Sequence, residues 1–96
     1  MAIEREIRKL QLANGTVPFG DWNQSLGDKR TQAAVAARLA RVRAGNLGNH
    51  KHVGDGVNEL KIDIGPGLRV YYAEYGGNIF LLLGGGDKST QQRDIG

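Results

Sequence analysis

In residues 58–64, and again in residues 68–74, apolar and polar side chains alternate almost one for one, and Gly65-Pro66-Gly67 separates the two runs. Successive side chains on an extended strand point to opposite faces, so the pattern predicts a β-hairpin with one oily and one cationic face. The glycines and proline supply turn backbone and interrupt any helix. A symmetric turn sets Ile64 opposite Leu68, Ile62 opposite Val70 and Leu60 opposite Tyr72 on the oily face. On the other face it sets Asp63 opposite Arg69 and Lys61 opposite Tyr71. A slip of one residue would drive Lys61, Asp63 and Arg69 into the core, a desolvation cost that fixes which side chains share a face. The plainest role of the polar face is then an Asp63 to Arg69 salt bridge on a solvated sheet.

Before the hairpin, residues 4–12 mix charge with Ile7, Leu10 and Leu12 and predict a first strand, which Asn14-Gly15 and Pro18 end. Pro18 suits the first turn of a short helix whose buried stripe is Phe19, Trp22 and Leu26. Trp22 shares that stripe and reads as a core anchor rather than a base-stacking platform. Asp28 can cap a second helix over residues 29–44 that stops at Gly45, with Val35, Ala36, Leu39 and Val42 toward the core. Residues 45–56 are rich in glycine and asparagine and predict a loop holding at most a short strand. Residues 79–83 form an apolar run too short for a stable helix, which suits a strand buried on both faces. Gly84-Gly85-Gly86 then lets the chain leave the sheet steeply, and Asp87 or Ser89 could cap a final helix.

The 96 residues fit one domain, 1–96, with a real but small core. There is no cysteine, so neither disulfides nor thiolate metal sites are expected, and His50 and His52 alone do not build a metal site. No cofactor is implied. No apolar run approaches a membrane span and residues 1–12 do not form an apolar leader, which predicts a soluble, cytoplasmic protein. The formal charge of +3 and pI near 9.5 are unexceptional, but the distribution is not. Lys29, Arg30, Arg38, Arg41 and Arg43 fall in the second helix without an acidic residue among them. Such a helix either binds an anion, nucleic acid or an acidic protein, or serves solubility. Gly84-Gly85-Gly86-Asp87-Lys88-Ser89 lacks the G-x-x-x-x-G-K-S/T spacing of a phosphate loop. A cationic sheet face can instead serve phosphodiester chemistry. Cleaving RNA through its own 2′-hydroxyl needs that hydroxyl deprotonated, charge on the phosphorane stabilised and the leaving 5′-oxygen protonated. The planar fork of Arg69 suits the second task.

Several blocks together carry a family pattern: Gly45-Asn46-Leu47-Gly48 through Lys51-His52-Val53-Gly54, Glu59-Leu60-Lys61-Ile62, Gly65-Pro66-Gly67-Leu68-Arg69-Val70-Tyr71, and Gly85-Gly86-Asp87-Lys88-Ser89-Thr90-Gln91. With these the chain resembles the RelE/HigB-like addiction-module killer proteins, toxins of bacterial and phage type II toxin-antitoxin systems. The resemblance implies an α+β fold with two N-terminal helices packed on a curved, mostly antiparallel four- to five-stranded sheet. It also implies a C-terminal helix, for which the residues up to Gly96 leave little room, so that helix is expected to be truncated in this sequence. It implies an mRNA endoribonuclease that acts on the translating ribosome without a metal and is neutralised by a cognate helix-turn-helix antitoxin. By position it makes Arg69, Lys88 and Lys61 the catalytic set. Lys51 and Tyr71 become RNA contacts, joined by Arg38 and Arg41 of the basic helix. Lys61 stands where many relatives carry arginine, which keeps the charge and loses the bidentate fork. Members of the wider superfamily poison DNA gyrase instead, so a non-catalytic binding module or degenerate toxin is the alternative.

Overall fold

The hairpin is the centre of the molecule. A computed structural model describes residues 4–65 and 67–87. In it β3 (Val57–Ile62) and β4 (Leu68–Tyr75) pair antiparallel in the middle of a five-stranded sheet, flanked by β2 (His50–Gly54) on one side and β5 (Ile79–Asp87) on the other. The strand β1 (Glu6–Lys9) closes the far edge by pairing in parallel with β5, giving the order β1-β5-β4-β3-β2. Two helices, α1 (Pro18–Ser25) and α2 (Lys29–Arg43), lie between β1 and β2 in the chain. Among the described residues no helix is long and apolar enough to cross a membrane.

This architecture corrects the implied fold. The molecule is a small α+β domain, but its helices are not N-terminal, because β1 precedes them, and the sheet is mixed. The physical reason lies in β5, whose apolar run is long enough to accept a strand on each edge. Ile7 of β1 sits beside Phe80, and Lys9 beside Leu82. The expected final helix after Asp87 falls outside the described residues.

Period-2 alternation sorts the hairpin as expected. Leu60, Ile62, Leu68, Val70 and Tyr72 are at most 5% exposed and share one core with Phe80 and Leu82 of β5 and with Phe19, Val35 and Val42 of the helices. Each fully buried side chain of this size contributes about 1.5–3 kcal/mol. We call this side of the sheet the core face and the opposite side the outer face. The pairing differs from a symmetric turn by two residues: Ile62 faces Leu68, Leu60 faces Val70 and Lys61 faces Arg69. A two-residue shift leaves every side chain on its face, so alternation cannot detect it. The turn is instead set by the loop, where Gly65 and Gly67 take φ of 55° and 86° and the Gly67 amide donates to the Ile64 carbonyl.

Two local readings also change. Gly84, Gly85 and Gly86 do not leave the sheet; they pair with Tyr71, Val70 and Arg69 as part of β5. Gly85 has a packing reason to be glycine, since a Cβ there would collide with the indole of Trp22, which seats α1 on the strand. In α2 the stripe toward the core is Val35, Arg38 and Val42, with Leu39 packed beside it, while Ala36 is exposed. The Asp28 cap forms as expected, its carboxylate accepting from the Arg30 amide at 3.0 Å and the Thr31 hydroxyl at 2.9 Å.

Candidate functional site on the outer face

Odd-numbered positions of β3 and β4 point away from the core, and the register sets them in two rows. One row is Lys51 of β2, Glu59 of β3, Tyr71 of β4 and Gly84 of β5; the next is Lys61, Arg69 and Gly86. Four of the sequence-predicted residues, Lys51, Lys61, Arg69 and Tyr71, are thus brought onto one surface. Lys88 lies outside the described residues.

Lys61 and Arg69 are direct cross-strand partners. Like charges placed opposite each other in a sheet oppose folding, so this pair has no structural advantage of its own. Its neighbour along β3 is Glu59, whose side chain is 0% exposed. One carboxylate oxygen lies 3.7 Å from Lys51 Nζ and the other 3.8 Å from Arg69 Nε. These are ion-pair separations, longer than direct hydrogen bonds. The two rows together carry three cations, Lys51, Lys61 and Arg69, and one carboxylate, an excess of positive charge. The Lys51 side chain is 58% exposed and that of Arg69 13%.

Sequence reasoning missed Glu59, and it expected Asp63 as the carboxylate beside Arg69. The two-residue shift in register carries Asp63 past the end of β3 into the exposed loop and leaves Glu59 diagonal to Arg69. The signal that could have found it was its parity: Glu59 shares a face with Lys61 and Arg69 whatever the turn, whereas Asp63 depends on the strand running on.

Arg38 and Arg41 are not on this surface. Arg38 is 5% exposed, and its guanidinium donates to the carbonyls of Lys61 at 3.1 Å, Asn49 at 3.0 Å and Leu47. Those bonds tie α2 to the loop before β2 and to the end of β3. Gly48 makes room for them, since a Cβ there would lie 2.9 Å from the guanidinium. Burial, and secondarily the charge of Arg41, lower the Arg38 pKa from its ordinary value. A guanidinium spent on backbone carbonyls in the interior is a structural tie rather than an RNA contact. Arg41 is exposed and lines an open groove with Asn46, Asp63 and Ile64, between α2 and the β3 to β4 turn. His50 and His52 sit on the edge strand, where their Nδ1 atoms lie 2.9 Å from the Gly48 carbonyl and 3.1 Å from the Asn58 side-chain oxygen.

The arrangement can bind and polarise an anion. A phosphate reaching Lys61 and Arg69 would relieve their mutual repulsion and compete with Glu59 for the Arg69 fork. No family model matches the sequence, and no solved structure matches it. A protein of Haemophilus influenzae that bears the description "Uncharacterized protein" is 46% identical over 80 residues, covering 83% of this chain and 81% of its own length. At that identity and coverage the two share a fold and a common origin, and the chain belongs to the same family as the Haemophilus influenzae protein.

Proposed function

We propose that this protein is the toxin of a type II toxin-antitoxin system of the RelE/HigB-like kind, an mRNA endoribonuclease that works in the cytoplasm on translating ribosomes. The observation that carries the reading is the Lys61 and Arg69 pair, two cations held face to face on an outer sheet surface with a buried carboxylate behind them. Sheet residues are rigid, so such a pair is preorganised for a group that carries more than one anionic oxygen. The resemblance of the G-P-G-x-R-V-Y and D-K-S-T-Q blocks adds the reaction class, and with it the helix-turn-helix antitoxin as partner.

In this reading the substrate supplies its own nucleophile. The 2′-oxygen attacks phosphorus while a base accepts its proton, the bond to the 5′-oxygen breaks, and that oxygen takes a proton on leaving. The products are a 2′,3′-cyclic phosphate and a 5′-hydroxyl. Arg69 and Lys61 stabilise the charge that grows on the nonbridging oxygens, and Lys51 and Lys88 are the remaining cations available for binding or proton transfer. Glu59 keeps the Arg69 fork in place until phosphate takes it.

Expression in cells tests this. Arg69→Ala is expected to abolish growth arrest and to lower mRNA cleavage by at least about a hundredfold, the scale on which one transition-state donor acts. Arg69→Lys retains the charge against Glu59 and controls for folding. Equal arrest and equal mRNA loss in the wild type and Arg69→Ala would end the ribonuclease reading. Arrest without any cleavage would favour a gyrase-directed or purely binding toxin.

A further inference from the structure

Most glycines in this chain have a visible reason to be glycine. Gly54, Gly56, Gly65, Gly67, Gly76 and Gly77 take φ between 55° and 137°, a region that disfavours side chains. Gly85 makes room for Trp22. Gly84 shows neither reason. It lies inside β5, paired on one edge with Tyr71 of β4 and on the other edge two residues past Leu82, where the pairing with β1 ends; its φ is not in the positive region, and a Cβ built on it would meet nothing within 4 Å. The strand does carry an irregularity here, between Tyr71 and Tyr72 of its partner. Only a bulge with left-handed backbone would demand glycine, and Gly84 does not have that backbone. A glycine inside a strand weakens the strand, and one without a backbone or packing reason marks a place where something outside the sheet comes close.

What comes close is indicated by the neighbours. Gly84 is the direct cross-strand partner of Tyr71, which stands beside Glu59 in the same row, and the adjoining row holds Arg69 and Lys61. Between the rows the separation along the strand is two residues, about 6.6 Å. We propose that Gly84 is the floor of a nucleobase subsite: a base unstacked from single-stranded RNA lies flat over the bare Gly84 backbone against the Tyr71 ring, while its phosphate is held at Arg69 and Lys61. This rests on the ribonuclease reading and adds to it that the substrate is recognised one splayed base at a time. The fit is by shape and stacking, which every base satisfies, so the subsite favours single strands over duplex without choosing a sequence.

The probes are adenosine 5′-monophosphate and ribose 5-phosphate, titrated into the isotopically labelled chain and followed through the amide signals of Gly84, Tyr71 and Arg69. Stacking of one base strengthens binding by about tenfold or more. The wild type is therefore expected to bind the nucleotide at least about tenfold tighter than the sugar phosphate. Gly84→Val should remove that preference, leaving both at the sugar phosphate's affinity, with an unchanged or higher melting temperature because a β-branched residue suits a strand. Tyr71→Phe should retain the preference and Tyr71→Ala should lose it. If the wild type binds the two probes equally, or if Gly84→Val keeps the preference, the base subsite is wrong while the phosphate site stands. If neither probe moves the signals of Arg69, both the subsite and the ribonuclease reading behind it fall.

Discussion

Among the described residues, the core side and the outer face of the sheet each bury one charged side chain, Arg38 at 5% exposure and Glu59 at 0%. Arg38 is satisfied by three backbone carbonyls, those of Lys61, Asn49 and Leu47. Carbonyl oxygens are neutral and fixed to the chain, so no ligand can take their place without unfolding the segment that presents them. Glu59 is attended by the ends of Lys51 and Arg69, at 3.7 and 3.8 Å; the Lys51 side chain is 58% exposed and that of Arg69 13%. Those cations can move to a competing anion while the sheet stays as it is. A buried charge answered by backbone is thus part of the fold, and one answered by side-chain counter-ions can be part of a site.

The sharpest way to break this comparison is to remove both charges in turn. Arg38→Ala strips the donors from three carbonyls and opens a gap beside the core, so it should cost about 3 kcal/mol, read as a lowered urea midpoint with little change in slope. Arrest of growth would then fall only in proportion to the loss of folded protein. A cost below about 1 kcal/mol would show that water can replace the guanidinium and that Arg38 is no structural tie.

Glu59→Gln preserves volume and some hydrogen-bonding capacity while removing the charge. Since the partners of Glu59 are side-chain cations and Lys51 is largely exposed, the expected cost in stability is only about 1 kcal/mol, well below the penalty for a pair locked in the interior. Cleavage should fall by roughly tenfold as Arg69 loses its orientation, the scale on which misplacement of a catalytic group acts. A large loss of stability with unchanged cleavage in the remaining folded protein would make Glu59 a second Arg38, and the distinction between the faces would disappear.

What could be read from the sequence follows the same division. Face assignment was legible, because a period of two decides it locally and a wrong choice would bury Lys61 and Arg69. Register was not legible, because a two-residue shift changes no face, and the partnership of Glu59 with Arg69 depends on register. Helix α2 and its Asp28 cap were legible from spacing, yet Arg38 was expected to contact RNA, since an apolar count gives no credit to an arginine whose partners are carbonyls from residues 9 to 23 positions away. The three glycines read as a break; only the position of Trp22 on another element shows why Gly85 belongs in a strand. That Lys61, Arg69 and Tyr71 share a face needed alternation alone; Lys51 joins them only through the pairing of β2 with β3, which a loop reading of residues 45–56 does not supply.

The smallest expected effect separates two adjacent tyrosines, Tyr71 on the outer face and Tyr72 on the core face. Tyr72 is 2% exposed and stacks on Phe80 at a ring separation of 4.5 Å. Burial, then the carboxylate of Glu74, raise its pKa above the ordinary phenol value, against the smaller opposing pull of Arg38 and Arg5. In the unfolded chain the phenol ionises near its ordinary pKa of about 10, before it does so in the native state. Above that pH the unfolded chain therefore binds fewer protons than the folded one, and stability declines as pH rises through the interval between the two values. The contribution is fully present below the unfolded pKa and lost once the folded pKa is passed. Tyr72→Phe keeps the ring on Phe80 and removes the ionising group, so urea midpoints measured from pH 9 upward should decline less steeply than in the wild type while agreeing with it near neutrality. Parallel curves for the two proteins would mean that the Tyr72 hydroxyl reaches solvent and that the core face is less closed there than its packing indicates.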